Sequence, residues 1–389
     1  MAEAYIVDAA RTAGGRRGGR LAGWHPADLG GAVVDAILAR TGIDPAAIED
    51  VILGCVSQAG EQAFQLGRNV VMASSLPDSV PAVTIDRQCG SSQQAIQFAA
   101  QAVMSGTQDV VLAAGVESMS RVPMGSNWSL HAKAGIGSGP WSQRIQDRYG
   151  VAEFSQFTGA QMIAHKYGFG REDMDAFALE SHRKAAGATA AGAFRKEIVP
   201  LATPGGDGTH DADEGIRYDA TLEGIGAVKP LQEGGTITAA NASQITDGAS
   251  AVLVVSERAL ATHGLTPLAR IHNLTVTAGD PVIMLEEPIP ATARGLTRAG
   301  MRLDEIDLFE VNEAFASVPM AWLQATGADP ARLNVNGGAI ALGHPLGATG
   351  TKLMATLVHA LHARGLRYGL QTMCEGGGIA NVTIIEALR

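Results

Sequence analysis

Two cysteines and a histidine stand in local sequences that favour reaction chemistry over simple packing. The first cysteine, Cys89, lies between an apolar stretch at 80–85 and a helical pattern at 93–104. A thiol at such a junction faces unpaired backbone N–H groups and the positive end of a helix dipole, which lower a thiol pKa. An arbitrary free cysteine is more often a small buried apolar residue. Because Gly, Ser and Gln surround Cys89, we interpret it as a nucleophile.

The histidine lies in a glycine-rich segment that begins at residue 337 and reads Gly-Gly-Ala-Ile-Ala-Leu-Gly-His-Pro-Leu-Gly. Glycines permit tight turns and close backbone approach there, and Pro345 can begin the following helical turn. A histidine in such a loop is more often a hydrogen-bonded loop residue than a catalyst. The place of His344 in the internal repeat described below favours a catalytic role.

Two further residues follow predicted strands. Cys374 ends an apolar stretch and precedes Glu-Gly-Gly-Gly, a turn whose free N–H groups suit an oxyanion. The alternative for Cys374 is a core cysteine that closes a strand. Asn312 follows a strand at the point where a helix should begin, so it can serve the site, cap the helix, or do both.

Composition and charge limit the class of protein. The 389 residues exceed the roughly 250 to 300 at which one hydrophobic core stops growing, so two or three packed units are expected. A net charge of −10 without clustered Lys and Arg argues against nucleic acid as a partner. No apolar run approaches the roughly 18 residues of a membrane helix, and the N-terminal segment lacks a basic-then-apolar leader. Three cysteines do not make a disulfide framework, and we expect a cytoplasmic protein without membrane contact.

The elements that must position these residues occur twice along the chain. In each copy a helix end runs into a strand, a polar segment precedes a second helix, and a buried strand follows. This repeat places Cys89 opposite His344, and Gly115 opposite Cys374. The matching segments are 42–53 with 300–311, 83–92 with 334–345, and 106–115 with 365–374.

Strands that alternate with helices predict right-handed crossovers and sheets covered by helices on both faces. The sequence therefore predicts an α/β fold of two duplicated halves with covered mixed sheets, and function where the halves meet. Residues 119–246 break the pattern with Gly-rich and Ser-rich pieces, which predicts an inserted loop domain that forms a lid. The first half spans 1–118 and is completed by about 247–267, and the second spans 268–389.

Four segments together resemble the thiolase family. They are Cys89 with its neighbours, Asn312-Glu-Ala-Phe-Ala, the glycine-rich segment around His344, and Cys374-Glu-Gly-Gly-Gly, in the family's order and at its usual intervals. The family includes acetyl-CoA C-acyltransferases and acetyl-CoA acetyltransferases. The resemblance implies a thiolase-like fold whose lid contacts coenzyme A, with CoA and acyl-CoA as substrates. It implies no permanently bound cofactor or metal, and usually a homodimer or homotetramer.

The resemblance also implies a role for each residue of the site. Cys89 is similar to the family's nucleophile, which His344 activates and which attacks the 3-keto carbon of a 3-oxoacyl-CoA. Cys374 matches the general acid that protonates the departing acetyl-CoA enolate. Two oxygens develop charge, and His344 with a water held by Asn312 would stabilise one. The backbone N–H groups of Cys89 and Gly376 would stabilise the other.

The coenzyme A contacts are also taken from the resemblance. The segment Asn241-Ala-Ser-Gln-Ile-Thr-Asp-Gly is similar to a family motif and places Ser243 against the pantetheine arm. Arg217 is a partner for the nucleotide phosphates. Ala314 and Phe315 match positions that line the pantetheine tunnel, although Phe315 can equally be a plain core residue.

Departures from the family pattern concern the substrate. Short-chain members often carry a His-Met pair in the lid, where this chain has Ser155 and Gln156. The sequence around Cys89 and after the glycines at 376–378 is similar to actinobacterial lipid- or steroid-degrading thiolases. We expect thiolytic cleavage of 3-oxoacyl-CoA. A biosynthetic acetoacetyl-CoA-forming acetyltransferase and a noncatalytic acyl-CoA or sterol carrier are the alternatives.

Overall fold

Strands and helices alternate along the chain in the computed structural model, which describes residues 2–206 and 208–388. The strands are β1 Ala4–Thr12, β2 Gly15–Arg16, β3 Asp50–Gly54, β4 Ala82–Ile85, β5 Val110–Ser118, β6 Ile198–Val199, β7 Leu201–Ala202, β8 Thr209–His210, β9 Thr246–Ser256, β10 Ala269–Ala278, β11 Leu308–Val311, β12 Tyr368–Glu375 and β13 Ile379–Ala387. The helices are α1 Pro26–Thr41, α2 Leu66–Met72, α3 Ser91–Ser105, α4 Ser126–Lys133, α5 Gln143–Tyr149, α6 Gln156–Tyr167, α7 Arg171–Ala190, α8 Leu222–Gly226, α9 Glu257–His263, α10 Pro288–Ala299, α11 Ser317–Thr326, α12 Ala339–Leu342 and α13 Thr349–Arg364.

The main sheet is mixed, and its strand order divides into two runs. One run has the order β11-β12-β13-β10 and the other β1-β9-β5-β3-β4. Three strand pairs within the runs are parallel: β3 with β5, β3 with β4, and β11 with β12. The other pairs within the runs are antiparallel. The runs join where β1 pairs with β10, through Tyr5 with Arg270 and Ile6 with Ala269. The prediction of duplicated α/β halves with mixed sheets is confirmed.

The repeat is visible in the order and the ends of the elements. Helices α1 and α10 both end at a left-handed glycine, Gly42 and Gly300, which relieves the strain of the turn. A short 3-10 helix follows each glycine and leads into β3 or β11. Helices α3 and α13 likewise end at left-handed glycines before β5 and β12.

Successive side chains of a strand point to opposite faces of the sheet, so apolar cores form on both faces. In β3, β5 and β9, one set of apolar side chains packs with α1 and α2, and the next residues along each strand pack with α3 and α13. Each fully buried Leu or Val side chain contributes roughly 1.5 to 3 kcal/mol. The two facing sets are Leu53, Leu112 and Leu253 on the first face, and Ile52, Val111 and Val252 on the second.

Helices α3 and α13 meet at their N-termini, which lie just after Cys89 and His344 in the chain. A β-carbon at Gly350 would collide with the backbone nitrogen of Gln93, so only glycine allows this approach. The backbone N–H of Thr351 donates to Ser92 Oγ at 3.0 Å and fixes the register of the two helices. The close approach brings the two polar segments of the repeat to one place.

The inserted segment carries α4 to α8 and the short strands β6 to β8. It is tied to the first half where β6 pairs with β1. Beside this pair, the buried Arg11 guanidinium binds Glu197 at 2.6 Å and Asp213 at 2.7 Å. A buried cation flanked by two carboxylates is costly to break, because removal of one partner leaves an uncompensated charge. Within 2–206 and 208–388, no helix is long and apolar enough to cross a membrane.

Candidate active site

Cys89 sits in a tight turn between β4 and α3. Gln88 adopts φ of 49°, in the left-handed region that side chains rarely occupy, and the N–H of Ser91 donates to its carbonyl at 3.0 Å. The helix then starts at Ser91, two residues before the predicted start. Cys89 is 7% exposed and packs in an apolar cluster with Val56, Met119 and Leu346. Leu346 is two residues past His344, so the cluster joins the two polar segments.

The sequence-based expectation that the pKa of Cys89 is lowered is wrong. Burial raises the pKa of this thiol to about 12, and the negative charge of Glu375 raises it further. Desolvation of a thiolate in an apolar cluster outweighs the favourable field of the helix terminus. At neutral pH the resting group is therefore a protonated thiol, which must lose its proton as it reacts.

The imidazole of His344 is buried and has a defined tautomer. Its Nδ1 lies 2.5 Å from Thr349 Oγ1, and that hydroxyl donates to the carbonyl of Pro345 at 2.9 Å. Because a hydroxyl has one proton, Nδ1 must be the donor to Thr349, and this assigns the free lone pair to Nε2. Burial, and then the nearby Lys352 cation, lower the pKa of His344 to about 3. The ring is neutral and can accept a proton at Nε2.

Asn312 lies directly after β11 and faces the histidine. Its Nδ2 is 3.4 Å from His344 Nε2, and its backbone N–H donates to the carbonyl of Thr372 at 3.1 Å. Its buried Oδ1 has no hydrogen-bond partner among the described residues. The next helix begins only at Ser317, so the alternative of a helix cap is wrong.

The second cysteine is on β12, which continues through Glu375. Cys374 is 0% exposed and shares an apolar cluster with Ala314 and Phe315. Burial, followed by the charge of Cys89, raises the pKa of Cys374 well above its usual range.

The residues after Cys374 pack against the turn that carries Cys89. A β-carbon at Gly376 would lie 2.9 Å from Gln88 Cγ, and one at Gly90 would collide with the Glu375 carboxyl group. Both carboxyl oxygens of Glu375 are buried without a hydrogen-bond partner in the described part of the chain. Burial raises the pKa of Glu375 well above its usual range, and Arg87 opposes this shift. Glu375 is in none of the roles predicted from the sequence.

Of the four expected coenzyme A contacts, one lines a cavity of about 180 Å³. Arg217 lines this cavity, and its backbone N–H donates to His182 Nδ1 at 3.2 Å. Burial and then the Arg217 charge lower the pKa of His182 to about 4, so its ring is neutral. The remaining lining includes Asp219, Thr221, Ala239, Gln244 and Ile340.

Three further predicted contacts meet beside this cavity. The N–H of Ser243 donates to the carbonyl of Ala314 at 2.9 Å, and Ala242 pairs with Phe315. Phe315 is 3% exposed and packs edge-on against Phe157 at 5.6 Å. Phe315 is therefore a core residue in its packing, and its backbone holds the segment that carries Ser243.

The lid positions Ser155 and Gln156 are at the start of α6. Ser155 Oγ accepts from the N–H of Thr158 at 3.4 Å, and Gln156 Nε2 lies 3.9 Å from Met124 Sδ. Neighbouring aromatic rings form a chain with centroids about 6 Å apart, and part of it is exposed. Its members are Trp128, Trp141, Phe154 and Tyr149.

The residues that contact His344 and the backbone before it had no clear sequence signal. Thr349, which fixes the histidine tautomer, is the first residue of α13 and could have been found as a hydroxyl one turn after His344. Lys352 is buried on the same helix and donates to two carbonyls of the glycine-rich segment. A lysine in a helix normally indicates solvent exposure, so its burial was not predictable. Among the described residues, no group of three or more His, Cys, Asp or Glu is placed to hold a metal ion.

Comparisons with known proteins agree over nearly the whole chain. Residues 4–258 match the family model "Thiolase, N-terminal domain", and residues 265–387 match "Thiolase, C-terminal domain". The chain is 54% identical over 390 residues to the steroid 3-ketoacyl-CoA thiolase FadA6 of Mycobacterium tuberculosis, covering 100% of this chain and 95% of that protein. It is 41% identical to an acetyl-CoA acetyltransferase of Chromobacterium violaceum, covering 99% of both chains. It is 40% identical to a 3-ketoacyl-CoA thiolase of Cronobacter sakazakii, covering 99% of this chain and 100% of that protein.

Proposed function

Because the chain belongs to the thiolase family, we propose that Cys89 carries the acyl group during thiolytic cleavage of a 3-oxoacyl-CoA. The chain is an acyltransferase whose substrates are acyl-CoA and CoA. Three contacts support the assignment of residues: Asn312 lies beside His344, the Cys89 cluster includes Leu346, and the residues after Cys374 pack against the Cys89 turn. The neutral thiol and the neutral imidazole are complementary, since one must lose a proton and the other can accept it.

The first half-reaction moves one proton and breaks one carbon–carbon bond. Cys89 gives its proton to His344 Nε2 as the sulfur attacks the 3-keto carbon. The bond between C2 and C3 then breaks, and its electron pair goes to the acetyl-CoA fragment as an enolate. Cys374 protonates C2 of that enolate, which releases acetyl-CoA and leaves the acyl group on Cys89.

The second half-reaction restores the enzyme. The thiol of CoA gives its proton to the Cys374 thiolate and attacks the acyl carbon. The sulfur of Cys89 leaves and takes its proton back from His344, so atoms and charges balance. The product is an acyl-CoA that is two carbons shorter, and the reverse sequence is a Claisen condensation.

Two oxygens need hydrogen-bond donors during the first half-reaction. The backbone N–H groups of Cys89 and Gly376 serve the oxygen of the attacked ketone. His344 becomes an Nε2–H donor once it has accepted the proton, so it serves the enolate oxygen. The buried Oδ1 of Asn312 supports a water as the second donor, because that oxygen needs a partner.

We propose an acyl group larger than acetyl, of the steroid or fatty acyl class. The relative named as a steroid thiolase supports this choice. The lid supports it too, since the aromatic chain that includes Trp128 and Trp141 leaves apolar surface exposed, 44% at Trp128. Asn127 Nδ2 donates to the carbonyl of Val56 at 3.2 Å, which links α4 to the apolar cluster around Cys89. Formation of acetoacetyl-CoA is the second candidate, supported by the relative named acetyl-CoA acetyltransferase.

Three organisational features complete the proposal. Residues 119–246 act as a lid that contacts CoA through Arg217, with 1–118 and about 247–267 as one half and 268–389 as the other. The chain forms a homodimer or homotetramer, because β4 is an edge strand and exposes Val83 on its surface. Phe64, 93% exposed, precedes α2, and the exposed Met72 ends it; α2 packs against β4. Unpaired cysteines among the described residues support a cytoplasmic location.

The test is thiolysis of 3-oxoacyl-CoA substrates with acetoacetyl, long fatty acyl and steroid acyl groups, with and without free CoA. We expect repeated turnover only when CoA is added, and faster turnover of the larger groups. Cys89→Ala is the control and should be inactive with all substrates. Cleavage of acetoacetyl-CoA alone would favour the second candidate, and no cleavage at any chain length would favour the carrier.

A further inference from the structure

A buried lysine is bound to the backbone that presents His344. Lys352 lies in the first turn of α13 and is 3% exposed. Its Nζ donates to the carbonyl of Leu342 at 2.6 Å and to the carbonyl of Gly343 at 2.8 Å. These are the two carbonyls that immediately precede His344 in the chain. Lysine is rarely buried, and hydrogen bonds to two successive carbonyls are a specific use of it.

The peptide unit between Gly343 and His344 is held at both of its polar ends. Lys352 Nζ donates to the carbonyl oxygen of this peptide unit. The N–H of the same unit, that of His344, lies 3.2 Å from both Gln244 O and Thr246 Oγ1. Gly343 has φ of 80°, and a β-carbon there would collide with Thr246. The orientation of this peptide unit sets the direction in which the imidazole leaves the backbone.

Charges on other elements act on the ammonium group, and the Arg11 charge opposes the attraction of the carboxylates. Asp213 and Glu197, both bound to Arg11, face it from the insertion, and Glu310 faces it from β11. Burial lowers the pKa of Lys352 to about 7, and Asp213 opposes that shift. A neutral amine keeps two N–H donors, so both bonds to the carbonyls survive deprotonation.

We propose that Lys352 is a positioning residue for the thiolase reaction: it holds the backbone of the glycine-rich segment so that His344 Nε2 points at the Cys89 thiol. The inference rests on the proposed function, since it takes His344 as the proton acceptor. Lys352 acts through His344 and contributes to the rate of Cys89 deprotonation, and it does not bind CoA.

The alternative is that Lys352 only stabilises the fold. The two roles differ in what a substitution changes. Loss of positioning lowers kcat and leaves KM for CoA and for 3-oxoacyl-CoA nearly unchanged, because a misaligned base weakens the transition state alone. Loss of fold stability lowers the melting temperature and leaves kcat of the folded fraction unchanged.

The experiment is a double-mutant cycle of Lys352→Met and His344→Asn. Two rates are measured well below the melting temperature: kcat for thiolysis, and alkylation of Cys89 by iodoacetamide. Lys184→Met is the matched control, since Lys184 Nζ also donates to a backbone carbonyl, that of Leu333 at 3.0 Å, but not in the segment around His344. Lys352→Arg tests rescue by a side chain that can still donate to both carbonyls.

We expect Lys352→Met to lower kcat about 100-fold, the loss that follows a misplacement of about 1 Å. Both KM values should stay within about threefold, and Lys184→Met should change kcat by less than that. In the His344→Asn background, Lys352→Met should have almost no further effect on either rate, because both act on one proton transfer. Lys352→Arg should recover at least a tenth of the parental kcat.

Three results would overturn the proposal. The first is a kcat of Lys352→Met near the parental value. The second is a loss of kcat from Lys352→Met that is as large in the His344→Asn background as in the parent. The third applies if Lys352→Met does not fold: a Lys352→Arg variant that has the parental melting temperature but less than a tenth of the parental kcat would contradict positioning through the two carbonyls. If His344→Asn alone keeps parental activity, the proposed function of His344 fails first, and the two failures are thereby distinguished.

Discussion

At the scale of single residues, burial sets the protonation states of the site. It raises the pKa of both cysteine thiols and lowers the pKa of His344, so all three groups are neutral at rest. Neutral groups in an apolar site avoid the cost of unpaired buried charge. The charges therefore appear only during the reaction, when substrate and the oxyanion donors are in place to stabilise them.

Glu375 offers a test of this electrostatic description. Its charge is the second cause of the high pKa of Cys89, and burial raises the pKa of Glu375 itself, so the effect of this charge grows as the pH rises. We predict that Glu375→Gln increases the alkylation rate of Cys89 by about five- to tenfold at pH 9, since tenfold corresponds to about 1.4 kcal/mol. At pH 6, where the carboxyl is less ionised than at pH 9, the difference between the two rates should be smaller. Glu180→Gln on the exposed side of α7 is the control, and equal effects at both pH values would contradict the prediction.

At the scale of elements, the site depends on the contact between the N-termini of α3 and α13. The contact is glycine to backbone, Gly350 to Gln93, which leaves no room for adjustment by side-chain rotation. The two helices extend behind the contact through a shared apolar core. Each helix thus acts as a rigid support for the polar segment that precedes it.

We predict that Gly350→Ala destabilises the protein by about 1 to 3 kcal/mol or more, as overpacking of a core does. It should also lower kcat, because the helices separate. Urea unfolding and thiolysis measure the two effects. Gly187→Ala in α7 is the matched control, since a β-carbon there meets open space, and it should stabilise by about 0.5 to 1 kcal/mol. A Gly350→Ala variant as stable as the parent would show that the contact is not close.

The elements and their order could be predicted from the sequence, and the electrostatics could not. Hydrophobic periodicity and the glycine at each helix end indicated the duplicated frame, which put Cys89 and His344 together. The pKa of Cys89 was predicted to shift in the wrong direction. The local sequence indicates the helix dipole, but it does not indicate how deeply the thiol is buried. The pairing of Lys352 with the carbonyls before His344 depends on how α13 packs on the glycine-rich segment, which has no periodic pattern.

At the scale of the whole molecule, one edge of the sheet is incomplete. The strand β4 ends the sheet and has β3 as its neighbour in the strand order. Exposed apolar side chains next to an unpaired strand edge favour pairing with another chain. The turn with Cys89 follows β4 directly, so an assembly through this edge would support the nucleophile from outside.

We predict that Val83→Lys converts the parental oligomer to a smaller species, because a lysine on an edge strand opposes pairing. Sedimentation velocity at micromolar concentration measures the change. Met162→Lys on α6, which is also an exposed apolar position, should leave the parental species intact. A monomeric parent, or equal behaviour of the two variants, would contradict assembly through β4.

The most direct test of the central claim is the mass of the intact protein after brief incubation with a 3-oxoacyl-CoA in the absence of free CoA. We predict one added acyl group in the parent, located by peptide mapping at Cys89, and none in Cys89→Ala. With the shortened acyl-CoA as donor, Cys374→Ala should still acquire the group slowly, because the departing CoA thiolate depends much less on a proton from Cys374 than the acetyl-CoA enolate does. Equal labelling of the two variants, or an acyl group on Cys374, would contradict the division of labour between the cysteines.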